Sequence, residues 1–117
     1  MIGPGTHLMV DAATLMRFTA TYLGHYLRDV VELVGMQVVM GPFVQGCKGN
    51  IWDGWVVLAE SHAAIHVHGD ECHVDLFSCQ WFDTRIPLEL MCQRLKLSHV
   101  KVEVLERPMP GPIGGRE

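Results

Sequence analysis

The residues best equipped for chemistry stand together at Glu60-Ser61-His62, with His66 five positions past the serine and Cys79 farther along. A serine hydroxyl becomes a nucleophile when a base takes its proton, and histidine is the side chain that most often does so. The Ser-His pair alone is a weak signal, because a serine at a strand end is most often an ordinary structural residue. What strengthens it is the second apolar run, Val74-Asp75-Leu76-Phe77-Ser78-Cys79, which ends in a thiol. A lone cysteine in a strand is usually a small buried hydrophobe, so the pattern needs elements that bring these groups together.

Two strand-like runs flank the serine. Trp55-Val56-Val57-Leu58-Ala59 is apolar and partly β-branched, as a buried strand is, and the expected strand covers 54–59. A second is expected over 62–68, then a turn around Gly69-Asp70-Glu71, then a third over 73–79. Strand alternation predicts which side chains share a face. Ala63, Ile65 and Val67 pair with Val74 and Leu76 on an inner face. His66 and His68 then join His73, Asp75, Phe77 and Cys79 on the outer one. Ser61 falls on the opposite side from His66, so direct cooperation between them requires a bend or bulge between residues 60 and 66.

The remaining pattern supplies a frame. A first strand is expected over 6–10, then Asp11 as the N-cap of a long helix over 12–34. Met16, Ala20, Leu23, Leu27, Val30 and Val34 give that helix one buried stripe, and Gly35 is placed to end it. A strand over 36–40 is expected to be interrupted at Gly41-Pro42, and 45–53 reads as a loop or hairpin connection. Pro87 suits the first turn of a second helix reaching about Lys96, and 99–107 alternates as a closing strand. Residues 1–107 read as one domain and 108–117 as an irregular Pro/Gly-rich tail. Two helices cannot cover both faces of such a sheet. The expected fold is α+β, a two-layer α/β sandwich, with both helices on one face of a largely antiparallel sheet. The other face is left for a ligand or a second subunit.

Composition narrows the function classes. At 117 residues, 49% hydrophobic and 19% charged, the chain can bury a core and is not of the disordered class. A net charge of −4 with nine Lys and Arg argues against nucleic acid as a partner. No apolar run approaches the roughly 20 residues that span a bilayer. The first residues lack the pattern of a signal peptide, and the four cysteines contain no CxxC pair, so a cytoplasmic protein with reduced thiols is expected. His62, His66, His68, Cys72 and His73 form a dense cluster, but their spacing matches no standard zinc motif and no metal is expected.

In combination these blocks resemble the bacterial and archaeal type of S-adenosylmethionine decarboxylase, a small self-cleaving pyruvoyl enzyme. The matching residues are Gly5-Thr6-His7-Leu8 with Asp11, the strand 54–59, Glu60-Ser61-His62 with Ile65-His66, and Val74 to Cys79. The resemblance runs from about residue 5 to 107. It implies cleavage between Glu60 and Ser61, with Ser61 converted to a covalent pyruvoyl group that holds the substrate amine as a Schiff base. It implies that His66 assists processing, that Cys79 returns a proton to the substrate, and that Asp11 lies near the substrate. It also implies a homodimer, decarboxylation of S-adenosylmethionine and a role in polyamine (spermidine) synthesis.

The chain departs from the family pattern at three places. The hydroxyl residue eight positions before the cleaved serine is Asp53 here, and a carboxylate near a developing oxyanion is repulsive unless protonated or turned away. The family's Trp-Pro-Glu turn, which holds ribose hydroxyls, is replaced by His68-Gly69-Asp70-Glu71, leaving Asp70 or Glu71 as substitutes. The adenine-stacking aromatic has no counterpart at Gly46, Cys47 and Lys48; Trp52 or Phe43 are the candidates to replace it. These changes keep two alternatives open: the same chemistry on ornithine or arginine, or an unprocessed homologue acting as a binding or regulatory protein.

Overall fold

The computed structural model of the chain describes residues 5–107. The expected Pro/Gly-rich tail, 108–117, lies outside the described residues. Six strands and two helices follow one another as β1 (Gly5–Thr14), α1 (Ala20–Leu33), β2 (Val38–Cys47), β3 (Ile51–Leu58), β4 (Ser61–His68), β5 (Glu71–Ser78), α2 (Arg85–Arg94) and β6 (Leu97–Arg107). The strands form one sheet in the order β2-β3-β4-β5-β1-β6, and each of the five pairings is antiparallel. No helix among the described residues is long and apolar enough to cross a membrane.

Both helices cover one face of that sheet, so the two-layer α+β sandwich expected from the sequence is the fold. Alternation builds the shared core. Leu8 and Val10 of β1, Val56 and Leu58 of β3, Ala63, Ile65 and Val67 of β4, and Cys72, Val74 and Leu76 of β5 all point inward. They meet Leu23, Tyr26, Leu27, Val30 and Val31, a stripe at the spacing one helix face requires. Cys72 sits in this core, where burial pushes its thiol up to about 12 and keeps it protonated. All four cysteines are free.

The start of α1 corrects the sequence reading. Asp11 is not its N-cap: β1 runs on to Thr14, because Ala12 and Ala13 keep pairing with Cys72 and Glu71 of β5. The cap is Thr19, whose hydroxyl accepts the Tyr22 N–H at 3.1 Å. Met16 therefore lies in the connection before the helix, where its N–H is taken by the Thr14 hydroxyl. The far end follows expectation. Gly35 turns left-handed at φ +76, its N–H reaches the Glu32 carbonyl, and the Met36 N–H reaches that of Val31.

Two other boundaries move. β2 continues through Gly41-Pro42, taking register shifts on either side of Met40 rather than ending. The expected loop over 45–53 shrinks to a turn at 48–50, stabilised by Asn50. The Asn50 carboxamide accepts the Phe18 N–H and the Trp52 indole N–H, and donates to the Met16 and Gly69 carbonyls. It thus ties three connections together at one end of the sheet.

Candidate functional site

The β3–β4 hairpin decides the geometry of the site. Leu58 pairs with Ser61, leaving Ala59 and Glu60 as a two-residue turn. Glu60 is held at φ +59, a left-handed conformation that costs an L-residue roughly 1–2 kcal/mol. The residue under backbone strain is therefore the one that donates its carbonyl to the bond with Ser61. Glycine is the usual residue where a turn demands positive φ, and a glutamate there marks a site where strain is retained.

Ser61 and Cys79 come together. The Cys79 backbone N–H donates to Ser61 Oγ at 3.1 Å, linking the first residue of β4 to the residue just past β5. Both line a pocket of about 160 Å³ at the C-terminal end of α1, with Val34, Met36 and Gln37 on one side and Trp81 and Phe82 on the other. Cys79 is the one titratable side chain among the described residues that line it. A serine oxygen at a pocket, next to a strained peptide and held by the backbone N–H of a cysteine, suits the formation of a pyruvoyl group at position 61. Ser61 carries the atoms it would derive from, and Cys79 adjoins it.

His66 is not part of this cluster within one chain. The pairing of β4 with β3 is regular from Ser61 to His68, with no bend or bulge, so Ser61 and His66 stay on opposite faces. Five residues of strand also separate them by about 16 Å. His66 instead pairs with Asp53, its Nδ1 lying 2.6 Å from Asp53 Oδ1 on the uncovered face. The expected repulsion between Asp53 and the Glu60 carbonyl does not arise in one chain, since Asp53 is equally far from the turn.

Asp53 and His66 belong to a row that crosses the whole sheet. Gln45, Asp53, His66, His73, Asp11 and Lys101 are successive cross-strand neighbours from β2 to β6. His73 Nδ1 lies 2.7 Å from Asp11 Oδ1, and that hydrogen bond raises the His73 pKa above its usual value, with Glu71 adding to the effect. Nearer the Ser61 end, His7 pairs with Asp75 at 2.9 Å and packs beside Phe77 and His62. Beside these polar groups Phe43, Trp55, Val57 and Leu105 are exposed.

The expected substrate-holding residues are dispersed. Asp11 is engaged with His73 in mid-sheet. Asp70 lies in the β4–β5 turn and Glu71 opens β5, at the opposite end of β4 from Ser61. Trp52 faces the helix layer: it pairs with inward-pointing Val67, packs on the core, and its ring covers Gly46 so closely that a Cβ there would lie 2.3 Å away. Alternation from Val56 and Leu58 already requires that orientation. The dense His/Cys cluster is likewise divided, with Cys72 in the core and His66, His68 and His73 on the outer face. No three such residues converge on a metal position among the described residues.

The aromatic missed by sequence reading is Trp81, two positions after Cys79, 67% exposed at the pocket rim. Its signal was the pair Trp81-Phe82, one residue beyond the Asp-x-Phe-x-Cys block.

Comparison with known proteins adds two findings. The family model for S-adenosylmethionine decarboxylase matches residues 6–108. Among solved structures, the adenosylmethionine decarboxylase from Aquifex aeolicus VF5 is similar with a TM-score of 0.72, at 19% identity, over 95% of this chain and 96% of that one. At that identity the likeness is one of fold. No curated protein sequence matches significantly.

Proposed function

The chain belongs to the S-adenosylmethionine decarboxylase family, and on that premise we propose that it cuts itself between Glu60 and Ser61 and becomes a pyruvoyl-dependent decarboxylase. The observation that carries this reading is the strained Glu60 peptide directly before a serine whose oxygen is held by the Cys79 N–H.

In the cut, Ser61 Oγ attacks the Glu60 carbonyl carbon, and an ester replaces the amide. Loss of the Ser61 α-proton then expels the Glu60 carboxylate, freeing chain 1–60. Water displaces the nitrogen left at position 61 as ammonia, which leaves a pyruvoyl group there. Breaking the turn releases the left-handed strain at Glu60, so part of the driving force is stored in the uncut chain. When formed, the pyruvoyl group supplies an electron sink for loss of CO2 from an amine-bearing substrate. Cys79, which lines the same pocket as Ser61, delivers a proton from its thiol to the substrate carbon that loses CO2.

The substrate is S-adenosylmethionine, and Trp81 offers a ring against which its base can stack. Decarboxylated product of this kind is an aminopropyl donor for polyamines. A pocket of about 160 Å³ is smaller than the roughly 300–1,000 Å³ that enclose ligands of nucleoside size. One chain therefore supplies part of the site. The uncovered face, with its exposed aromatics and the His66–Asp53 pair, is where a second copy docks, and His66 serves the Ser61 of that copy.

Intact-mass measurement of the purified protein tests the reading. Two fragments, 1–60 and 61–117, the second with a blocked N-terminus, are the expected result. A single uncut chain after prolonged incubation would contradict it and favour a non-catalytic homologue. For the cut protein, CO2 release from S-adenosylmethionine is expected to exceed that from ornithine or arginine.

A further inference from the structure

The two edges of the sheet are built differently. At one edge, β2 carries Pro42, which has no N–H to offer, and its pairing shifts register twice, while α1 packs beside it. These are devices that discourage strand addition. At the other edge, β6 contains no proline, is the longest strand among the described residues and, among them, pairs with β1 alone, in continuous register from Lys101 to Arg107. Its one irregularity, between the Asp11 and Ala13 partners, lies before that run. On the helix side its valines continue the core outward without cover: Val100, Val102 and Val104 are 37, 45 and 42% exposed.

The charges on β6 specify a partner. A two-fold axis through an antiparallel strand pair sets one residue opposite its own copy and its neighbours opposite each other. Centred on Val102, the pairing puts Lys101 opposite Glu103 of the second copy, twice, and Val100 opposite Val104, twice. Centred on Lys101 or Glu103, it sets like charges face to face. Centred on Val104, it sets Glu103 against Leu105. Opposite charges directly across a ladder stabilise it and like charges oppose it, so one register is selected. We propose that β6 is a second self-association surface, where two copies pair antiparallel about Val102 and join their sheets edge to edge. The pairing is isologous, as a two-fold contact must be. It uses the edge and not the open face, so it stands whether or not the chain cuts itself.

The test uses the full chain with Cys47→Ser to remove an exposed thiol. Val102→Cys places two thiols at the two-fold axis, where opposed Cα atoms lie about 4.5–5.5 Å apart, within disulfide range. Mild oxidation is expected to cross-link most of this variant, while Val39→Cys on β2 stays uncross-linked. If the chain is processed, the linked species is a dimer of fragment 61–117, which reads out equally well. Adding Lys101→Glu is expected to weaken association about tenfold, and adding Glu103→Lys to that variant should restore it to within about twofold, because the swapped pair is again complementary. Val102→Cys failing to link, or linking with no response to the charge changes, would overturn the proposal. Linking that begins only once residues 108–117 are removed would assign the edge to the chain's own C-terminal segment, and would overturn it too.

Discussion

The two ends of one hairpin, β3–β4, carry opposite kinds of chemistry. At its turn, Glu60 is strained, Ser61 accepts one backbone N–H, and the pocket beside it is lined by apolar and uncharged polar residues together with Cys79. Five residues along, Asp53 and His66 form a hydrogen-bonded pair open to solvent, in a row of polar groups that crosses the sheet. The first end has a nucleophile and no base; the second has a base and no nucleophile. A rigid, regularly paired strand keeps them apart, so the proposed function calls on a second chain to combine them.

The largest effect is expected at the open-face end. Asp53→Asn removes the carboxylate that stabilises His66 as it takes a proton, and should slow self-cleavage by about tenfold or more. The half-time for loss of freshly synthesised intact chain measures this. An unchanged rate would mean that the His66–Asp53 pair takes no part. At the turn end, Glu60→Gly removes the left-handed strain. It should stabilise the uncut chain by about 1 kcal/mol and slow cleavage about fivefold. Urea unfolding in a Ser61→Ala background gives the first number and fragment formation the second.

The smallest effect belongs to the neighbouring pair. His73 has its pKa raised above 6.5 in the folded chain by its hydrogen bond to Asp11. A raised folded-state value means the pair's stabilisation is complete below the unfolded pKa, about 6.5, and disappears as pH climbs through the folded one. His73→Asn should therefore lower the urea midpoint near pH 5.5 and leave it unchanged near pH 9. The difference should be about 0.5 kcal/mol, as expected of an exposed pair.

Much of this was readable in the sequence where one rule acted alone. Alternation in β4 and β5 placed His66, His73 and Asp75 on the uncovered face, and Gly35 marked the end of α1. The errors came where two rules competed. Asp11 has the chemistry of an N-cap, but its partners His73 and Lys101 lie far along the sequence, on β5 and β6, and pairing with them carried β1 through residues that look helical. Trp52 was read for its ring and not its parity, although inward Val56 and Leu58 place it inward as well. The Asp53–His66 contact follows from simple counting once the turn is known: if 58 pairs with 61, then 53 pairs with 66. What no local pattern decided was whether a bend between Ser61 and His66 would bring them to one face. That depends on the strand remaining straight.

Complementation tests the divided site most directly. Two differently tagged chains, Ser61→Ala with His66 intact and His66→Ala with Ser61 intact, are each expected to stay uncut when made alone. Made together, the His66→Ala chain should be cleaved between residues 60 and 61 while the Ser61→Ala chain remains whole. Cleavage of the His66→Ala chain on its own at the normal rate, or a mixture that stays entirely uncut, would contradict a site shared between two copies.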